Sequence, residues 1–195
     1  IVGFSELLAA ANTEEEKQKY LEILHTNSEL LLQLVNDILD LSKIEAGTLE
    51  LNYSNIELNE LMRELERGFL LRVKTDAVKL EFVEPAGPCM AYTEKNRLSQ
   101  LMINLVTNAI KFTEKGSIRF GYEMRENELY FYVTDTGCGI PLEKQKLIFE
   151  RFEKLNDFAQ GSGLGLSICQ LIVTYMRGRI WVDSNYTQGA RFCFT

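Results

Sequence analysis

One long periodic segment, residues 14–46, most constrains what this chain can fold into. Its apolar residues recur at helical spacing and form a single stripe: Leu21, Leu24, Leu31, Leu34, Val35, Ile38 and Leu41. Thr13 followed by Glu16 is a capping box that starts a helix, and Gly47 is typical of a helix C-terminus. At 1.5 Å per residue such a helix is about 50 Å long. A helix of that length needs a second surface to cover its stripe.

A second helix precedes this one. Residues 1–11 read as the last turns of a helix that is cut short, and Asn12 provides the turn. The two helices therefore predict an antiparallel hairpin. Because one hairpin cannot bury its own stripe, we expect residues 1–46 to form a homodimer through a four-helix bundle.

After Gly47 the pattern changes from one long helix to short strands and helices. Strands are predicted at 48–53, 78–83, 90–92, 117–124, 128–135, 179–184 and 190–195. Helices are predicted at 57–75, 93–111 with Thr93 as the cap, 143–150 and 164–177. Strands in hairpins with helices between them favour an α+β fold, a two-layer sandwich with a mixed sheet covered on one face by helices. We expect two domains, residues 1–46 and 48–195.

The charge distribution supports two modules. Net charge is −7, which argues against a dedicated nucleic-acid binder. Residues 1–46 hold nine acidic and three basic side chains, whereas the rest is nearly balanced. No apolar run is long enough to cross a bilayer. One histidine and four scattered cysteines leave little for a zinc site and indicate reduced thiols, as in the cytoplasm.

Three segments carry candidate chemistry, and the first is rich in glycine. Gly161, Gly163 and Gly165 are spaced by two residues just before a predicted helix. Such a segment leaves backbone N–H groups at a positive helix end, where triphosphate oxygens fit. The pattern matches neither a P-loop nor a dinucleotide fingerprint. A flexible turn before a helix is the alternative.

The second segment places a carboxylate at the end of a predicted strand. Asp135 is followed by Gly137 and Gly139. The carboxylate can accept a hydrogen bond from an adenine amino group, and the missing side chains let a base approach the backbone. A tight turn with a solvated aspartate is the alternative.

The third segment is one helix face with Asn104, Asn108 and Lys111 at steps of four and three. Two asparagines inside a helix lower its intrinsic helix propensity, so a functional role would explain their presence. Asn108 offers a neutral amide oxygen to Mg²⁺ when a triphosphate supplies the negative charge, and Lys111 adds a positive charge for phosphate. A polar stripe on a surface helix is the alternative.

Together these segments resemble the conserved boxes of bacterial sensor histidine kinases. The asparagine, first glycine, phenylalanine and second glycine boxes are matched in order by residues 104–113, 135–140, 148–154 and 161–168. Residues 187–192 resemble the last, weaker glycine motif, and residues 39–47 are similar to the end of the second dimerisation helix. The resemblance covers essentially the whole chain.

The resemblance implies a Bergerat-type ATP-binding fold of the GHKL superfamily for residues 48–195, with ATP and Mg²⁺ as cofactors. Asn108 would hold Mg²⁺ and act in catalysis with Asn104 and Lys111, while Asp135 would read adenine. Gly137 and Gly139 would shape the base pocket, and Gly161, Gly163 and Gly165 would wrap the phosphates. The resemblance assigns to the ATP cleft and its mobile cover also Phe112, Ile140, Phe149, Phe152, Lys154, Leu164 and Leu166. That cover, between Phe152 and Gly161, would exclude water on closing.

The implied activity is transfer of the γ-phosphoryl group of ATP to a histidine, then to an aspartate of a response-regulator receiver domain docked near residues 1–40. His25 lies in the second helix with no proline near it, so we expect it not to accept phosphate. The sequence begins like the stretch just after the family's acceptor box. We therefore expect a cytoplasmic fragment of a longer kinase, membrane-attached only through other segments and unable to label itself.

Asn104 distinguishes this chain from relatives of the same superfamily. ATPases of the gyrase and chaperone type resemble one another in placing a glutamate one turn before the magnesium asparagine. An amide cannot take a proton at neutral pH, so Asn104 favours phosphoryl transfer over hydrolysis. A GHKL-type ATPase and a non-catalytic, nucleotide-sensing dimerisation module are the alternatives.

Overall fold

The computed structural model describes residues 2–126, 128–153 and 163–195. It begins with a helical hairpin, in which α1 (Val2–Ala10) packs beside α2 (Glu14–Glu45). The capping box forms: Glu16 N donates to Thr13 Oγ1 at 3.2 Å, and Asn12 N donates to Glu16 Oε2 at 3.1 Å. The predicted hairpin and the start of its long helix are confirmed.

The hairpin is followed by an α/β domain. Its strands are β1 (Ser54–Glu57), β2 (Val78–Val83), β3 (Met90–Thr93), β4 (Gly116–Arg125), β5 (Glu128–Asp135), β6 (Ile180–Val182) and β7 (Arg191–Phe194). Its helices are α3 (Leu58–Leu70), α4 (Lys95–Phe112) and α5 (Gly165–Tyr175), with 3-10 turns at Leu142–Lys144 and Leu147–Phe149.

Five strands form a mixed sheet in the order β2-β4-β5-β7-β6. The β2–β4 pair is parallel and the other pairs are antiparallel, while β1 and β3 form a separate antiparallel pair. Helices α3, α4 and α5 cover one face of the sheet, where Phe120, Val133, Leu105 and Ile168 are fully buried. The predicted mixed sheet with helices on one face is confirmed, and it places α4 and the end of β5 side by side.

The strand predicted at residues 48–53 is wrong. This segment has no regular structure, and the first strand begins at Ser54. Leu49 is buried, and its carbonyl accepts a hydrogen bond from Tyr175 Oη at 3.0 Å. Apolar and polar residues alternate along residues 48–53, which favoured a strand. In the structure this segment is a connection fixed against the end of α5, and none of the described strands pairs with it.

Two helix predictions also need correction. The cap of α4 is Glu94, whose carboxylate accepts from Arg97 N, because Thr93 is used as the last residue of β3. The helix predicted at 143–150 is two separate 3-10 turns, and the second turn buries Ile148 and Phe149. Tertiary burial of these two side chains outweighs the helical spacing that suggested a continuous helix.

The C-terminal half of α2 is docked on the α/β domain. Asp40 Oδ2 accepts from Arg97 Nη1 and from Gln100 Nε2, each at 2.8 Å. Arg151 Nη2 donates to Glu45 Oε1 at 2.6 Å, and Leu34 packs against the domain core. In the described part of the chain, none of the helices has the length and apolar character needed to span a membrane.

Candidate functional site

A cavity of about 660 Å³ lies where α4, the loop after β5, the start of α5 and α2 meet. The segments singled out in the sequence converge on it. The predicted residues that line it are Asn104, Asn108, Lys111, Phe112, Asp135, Gly139, Ile140, Gly163, Gly165 and Leu166.

Helix α4 supplies the polar wall of this cavity. The adjacent face of this helix is buried in the core through Leu101 and Leu105, which fixes the orientation of Asn104 and Asn108 at the edge of the buried face, where they line the cavity. The Asn104 Nδ2 atom is buried and, apart from the weakly accepting Cys169 sulfur beside it, has no hydrogen-bond partner among the described residues. A buried amide without a strong acceptor is costly, so this position fits a polar ligand such as phosphate. Lys111 Nζ lies 4.8 Å from the centroid of the Phe112 ring and adds positive charge to the same wall.

Asp135 ends β5 and is 4% exposed. Its Oδ1 atom accepts from Gly137 N at 2.9 Å and from Ala190 N at 3.2 Å. Burial raises the pKa of Asp135, and the two backbone N–H groups oppose that rise. These two bonds fix the carboxylate on the cavity wall, where its second oxygen can accept a hydrogen bond from an amino group.

Gly137 lies behind the cavity wall and does not line it. A Cβ atom here would lie 2.2 Å from the carbonyl oxygen of Phe112. The neighbouring Cys138 N donates to that oxygen at 3.4 Å. Glycine is thus needed for close packing of this loop on the end of α4, and its part in shaping a base pocket is indirect and stays a prediction.

Gly163 joins the loop before α5 to the segment after the second 3-10 turn. Its φ is +74°, and a Cβ atom would lie 2.8 Å from the backbone of Phe152. Phe152 N donates to Gly163 O at 3.0 Å. Lys154 and Gly161, and with them most of the mobile cover predicted between Phe152 and Gly161, lie outside the described residues.

Three other predicted site residues lie off the cavity wall. Phe149 is buried and packs edge-on against Phe192, at 6.3 Å between ring centroids. Leu164 is buried in the core, whereas Phe152 is 69% exposed. Phe149 and Leu164 thus support the cavity from behind, and contact with a bound ligand stays a prediction for all three.

The wall formed by α2 was missed by the sequence analysis. Its members are Asn27, Leu30, Leu31, Gln33, Leu34 and Asp37. Leu31 and Leu34 were assigned to the dimer stripe, so their contact with the cavity was not predicted. The available signal was Asp37, a carboxylate placed between the stripe residues Leu34 and Ile38.

Sequence comparison matches two families. Residues 93–195 match the family described as histidine kinase-, DNA gyrase B- and HSP90-like ATPases. Residues 1–47 match the His Kinase A (phospho-acceptor) domain.

The matches to curated relatives extend over all or nearly all of this sequence. Hybrid signal transduction histidine kinase L of Dictyostelium discoideum is 35% identical over 98% of this chain and 12% of its own length. The aerobic respiration control sensor protein ArcB of Escherichia coli K12 is 30% identical over 100% of this chain and 26% of its own length. The chain thus spans about an eighth to a quarter of these relatives.

Solved structures give the same result for the fold. Full-length ShkA in complex with AMPPNP superposes with a TM-score of 0.77 and 28% identity, covering 98% of this chain and 41% of ShkA. The catalytic domain of the histidine kinase ThkA superposes with a TM-score of 0.67 and 32% identity, covering 74% of this chain and 94% of that domain.

Proposed function

This chain belongs to the histidine kinases of the histidine kinase-, DNA gyrase B- and HSP90-like ATPase family, and from that premise we propose that it binds Mg·ATP in the 660 Å³ cavity as a kinase catalytic core. The observation that carries the proposal is the meeting of the asparagine face of α4, Asp135 and the glycines before α5 on one cavity. The AMPPNP held by its structural relative ShkA supports the ligand class.

Different described residues bind different parts of the nucleotide. Asp135 accepts a hydrogen bond from the adenine amino group, and the side chains of Asn104 and Lys111 bind and orient the triphosphate. Asn108 offers a neutral amide oxygen to Mg²⁺, which neutralises charge on the phosphate oxygens when bound. Because these groups are held before the ligand arrives, positioning and charge neutralisation supply the catalysis.

The reaction in the whole protein is transfer of the γ-phosphoryl group to a histidine other than His25, then to an aspartate of a response regulator. His25 is exposed on α2, lies 3.6 Å from Glu29 and does not line the cavity. The hybrid kinase among the relatives supports a receiver domain as partner. We assign dimerisation to residues 1–46 and ATP binding to residues 48–195, in the cytoplasmic part of a sensor.

Asn104 also bears on the competing ATPase function. The related hydrolases need a carboxylate to activate water, and this chain has an amide one turn before Asn108. Steady phosphate release from ATP that Asn108→Ala abolishes would favour a hydrolase instead. Absence of any nucleotide binding would favour a structural dimerisation module.

The first prediction tests the magnesium asparagine. Asn108→Ala removes the amide oxygen and should weaken binding of a non-hydrolysable ATP analogue with Mg²⁺ by at least about tenfold, the effect of about 1.4 kcal/mol. Isothermal titration calorimetry measures the affinity. The matched control is Asn96→Ala, an exposed asparagine on the first turn of α4 that does not line the cavity. Equal affinities of Asn108→Ala and the unaltered chain would contradict the proposed site.

A further inference from the structure

The wall that α2 contributes to the cavity carries one carboxylate. Asp37 is 2% exposed and shares the cavity lining with Asn104 and Asn108. Gln33 Nε2 donates to Asp37 Oδ1 at 2.7 Å, and within the described ranges the carboxylate makes no ion pair. A buried carboxylate without a cationic partner is energetically unfavourable, so its presence on a ligand cavity calls for an explanation.

Asp37 is held at this wall by the docking of α2. One turn later, Asp40 binds Arg97 and Gln100 of α4, and the Asp40 and Arg97 side chains are only 15% and 18% exposed. Leu34, one turn earlier, packs into the domain core. Asp37 lies between these two contacts, so its backbone position on the cavity wall is fixed while α2 is docked.

Several polar and titratable groups surround Asp37, and burial and neighbouring charges change its pKa and that of Cys169. Polar and titratable groups that face this region are Gln33 and Asp40 on α2, Asn104, Asn108 and Lys111 on α4, and Cys169 on α5. Burial and, to a smaller extent, Asp40 raise the pKa of Asp37, while the bond from Gln33 opposes the rise. Burial and the nearby Asp37 raise the pKa of the Cys169 thiol to about 12, so Cys169 stays neutral.

We propose that Asp37 is a specificity-determining residue that disfavours metal-free triphosphate and so makes nucleotide binding depend on an accompanying divalent cation. This inference rests on the proposed function, because it requires that the cavity bind ATP. A carboxylate and a triphosphate in one poorly solvated cavity repel each other strongly. A divalent cation on the phosphates removes most of that repulsion, so the penalty falls on the metal-free ligand.

The test compares ATP affinity with excess Mg²⁺ and with EDTA, at about pH 8, well above the ordinary carboxyl range. Asp37→Asn removes the charge and keeps an oxygen that accepts from Gln33. We expect this variant to bind metal-free ATP about tenfold tighter, with Mg·ATP affinity within about threefold of the unaltered chain. Glu29→Gln is the matched control on α2, since Glu29 is 69% exposed, and it should change neither affinity.

A second variant tests the same idea without altering the carboxylate. Arg97→Gln removes the ion pair with Asp40 that holds α2 in place. It should also tighten binding of metal-free ATP relative to Mg·ATP, because Asp37 is then free to leave the cavity. If Asp37→Asn does not fold, this variant decides the question.

Three results would overturn the inference. An equal change of both affinities in Asp37→Asn would assign Asp37 a packing role, and a loss confined to Mg·ATP would make it a cation ligand. Unaltered affinities for both forms of ATP in both variants would exclude any influence of Asp37 on the ligand. Failure of the proposed function looks different, since the unaltered chain would then bind neither form of ATP.

Discussion

At the scale of single residues, the same residue type has different roles according to what surrounds it. Asp135 and Asp37 are both buried carboxylates of one cavity, and burial raises the pKa of both. Asp135 accepts hydrogen bonds from two backbone N–H groups that fix its orientation, whereas Asp37, among the described residues, accepts only from the Gln33 amide on its own helix. The first arrangement suits recognition of a ligand donor, and the second leaves a charge that acts on the ligand.

The residue-scale prediction concerns Asp135. Asp135→Asn keeps one oxygen for Gly137 N and Ala190 N but replaces the charged acceptor, so ATP affinity should fall by about ten- to a hundredfold, as expected for a lost hydrogen bond to a charged group. The preference for ATP over GTP should shrink as well. Calorimetry with both nucleotides measures the effect.

The control for Asp135→Asn is Asp76→Asn, an exposed carboxylate of the α/β domain. It removes the same charge from the surface and should leave both affinities unchanged. Unaltered ATP affinity in Asp135→Asn would contradict the proposal that Asp135 recognises the adenine base.

At the scale of elements, the decisive contact is the docking of α2 on α4 and α5. The ion pair of Asp40 and Arg97 is largely shielded, and Gln100 shares the same carboxylate oxygen. Shielded, multiply hydrogen-bonded pairs of this kind are costly to break by removing one partner. Docking therefore makes one helix a part of two surfaces, the predicted dimer interface and the cavity wall.

The element-scale prediction is that Arg97→Ala loosens α2. The loss of the ion pair with Asp40 should destabilise the docked helix by about 1–3 kcal/mol. Hydrogen–deuterium exchange should then rise in residues 34–45 and stay unchanged in β4 and β5. Lys95→Ala provides the control, because its 3.4 Å pair with Glu64 is exposed and should contribute at most about 0.5 kcal/mol. Unchanged exchange in α2 would show that the ion pair does not hold the helix.

At the scale of the whole molecule, a large part of the α2 stripe stays uncovered in the single chain. The stripe residues Leu31, Val35 and Ile38 are about half exposed, at 51%, 47% and 53%, and the neighbouring Leu39 is 52% exposed. Such a row of apolar side chains on one helix is typical of an association surface. It is consistent with the four-helix bundle predicted for residues 1–46.

The whole-molecule prediction is that Ile38→Asp converts a dimer into a monomer. A charge on this stripe is solvated in the monomer and desolvated in the bundle, so association should weaken by about a hundredfold or more. Light scattering after size-exclusion chromatography, over a range of concentrations, measures the mass. Leu71→Asp is the control, since Leu71 is 89% exposed beyond the end of α3. An unaltered chain that is monomeric at every concentration would contradict the predicted bundle.

The fold class was predictable from local patterns of the sequence, and so were, among the residues that line the cavity, Asn104, Asn108, Lys111, Asp135, Gly139, Gly163 and Gly165. Helical periodicity and the capping box located α2, strands were predicted where β2, β4 and β5 lie, and the spacing of Asn104, Asn108 and Lys111 put them on one face. These properties depend on neighbours within one or two turns, so a single sequence carries them.

Only the tertiary structure decided which distant surfaces meet. Residues 48–53 alternate like a strand but have no strand beside them, and Thr93 fits a cap but ends β3. The close packing of Gly137 on the Phe112 carbonyl is visible only in the folded chain, and its predicted part in shaping a base pocket stays a prediction. Asp37 could be recognised as a cavity residue only after α2 had docked on α4. Hydrophobic periodicity tells which face of a helix is buried, whereas the partner of that face depends on contacts between residues far apart in the chain.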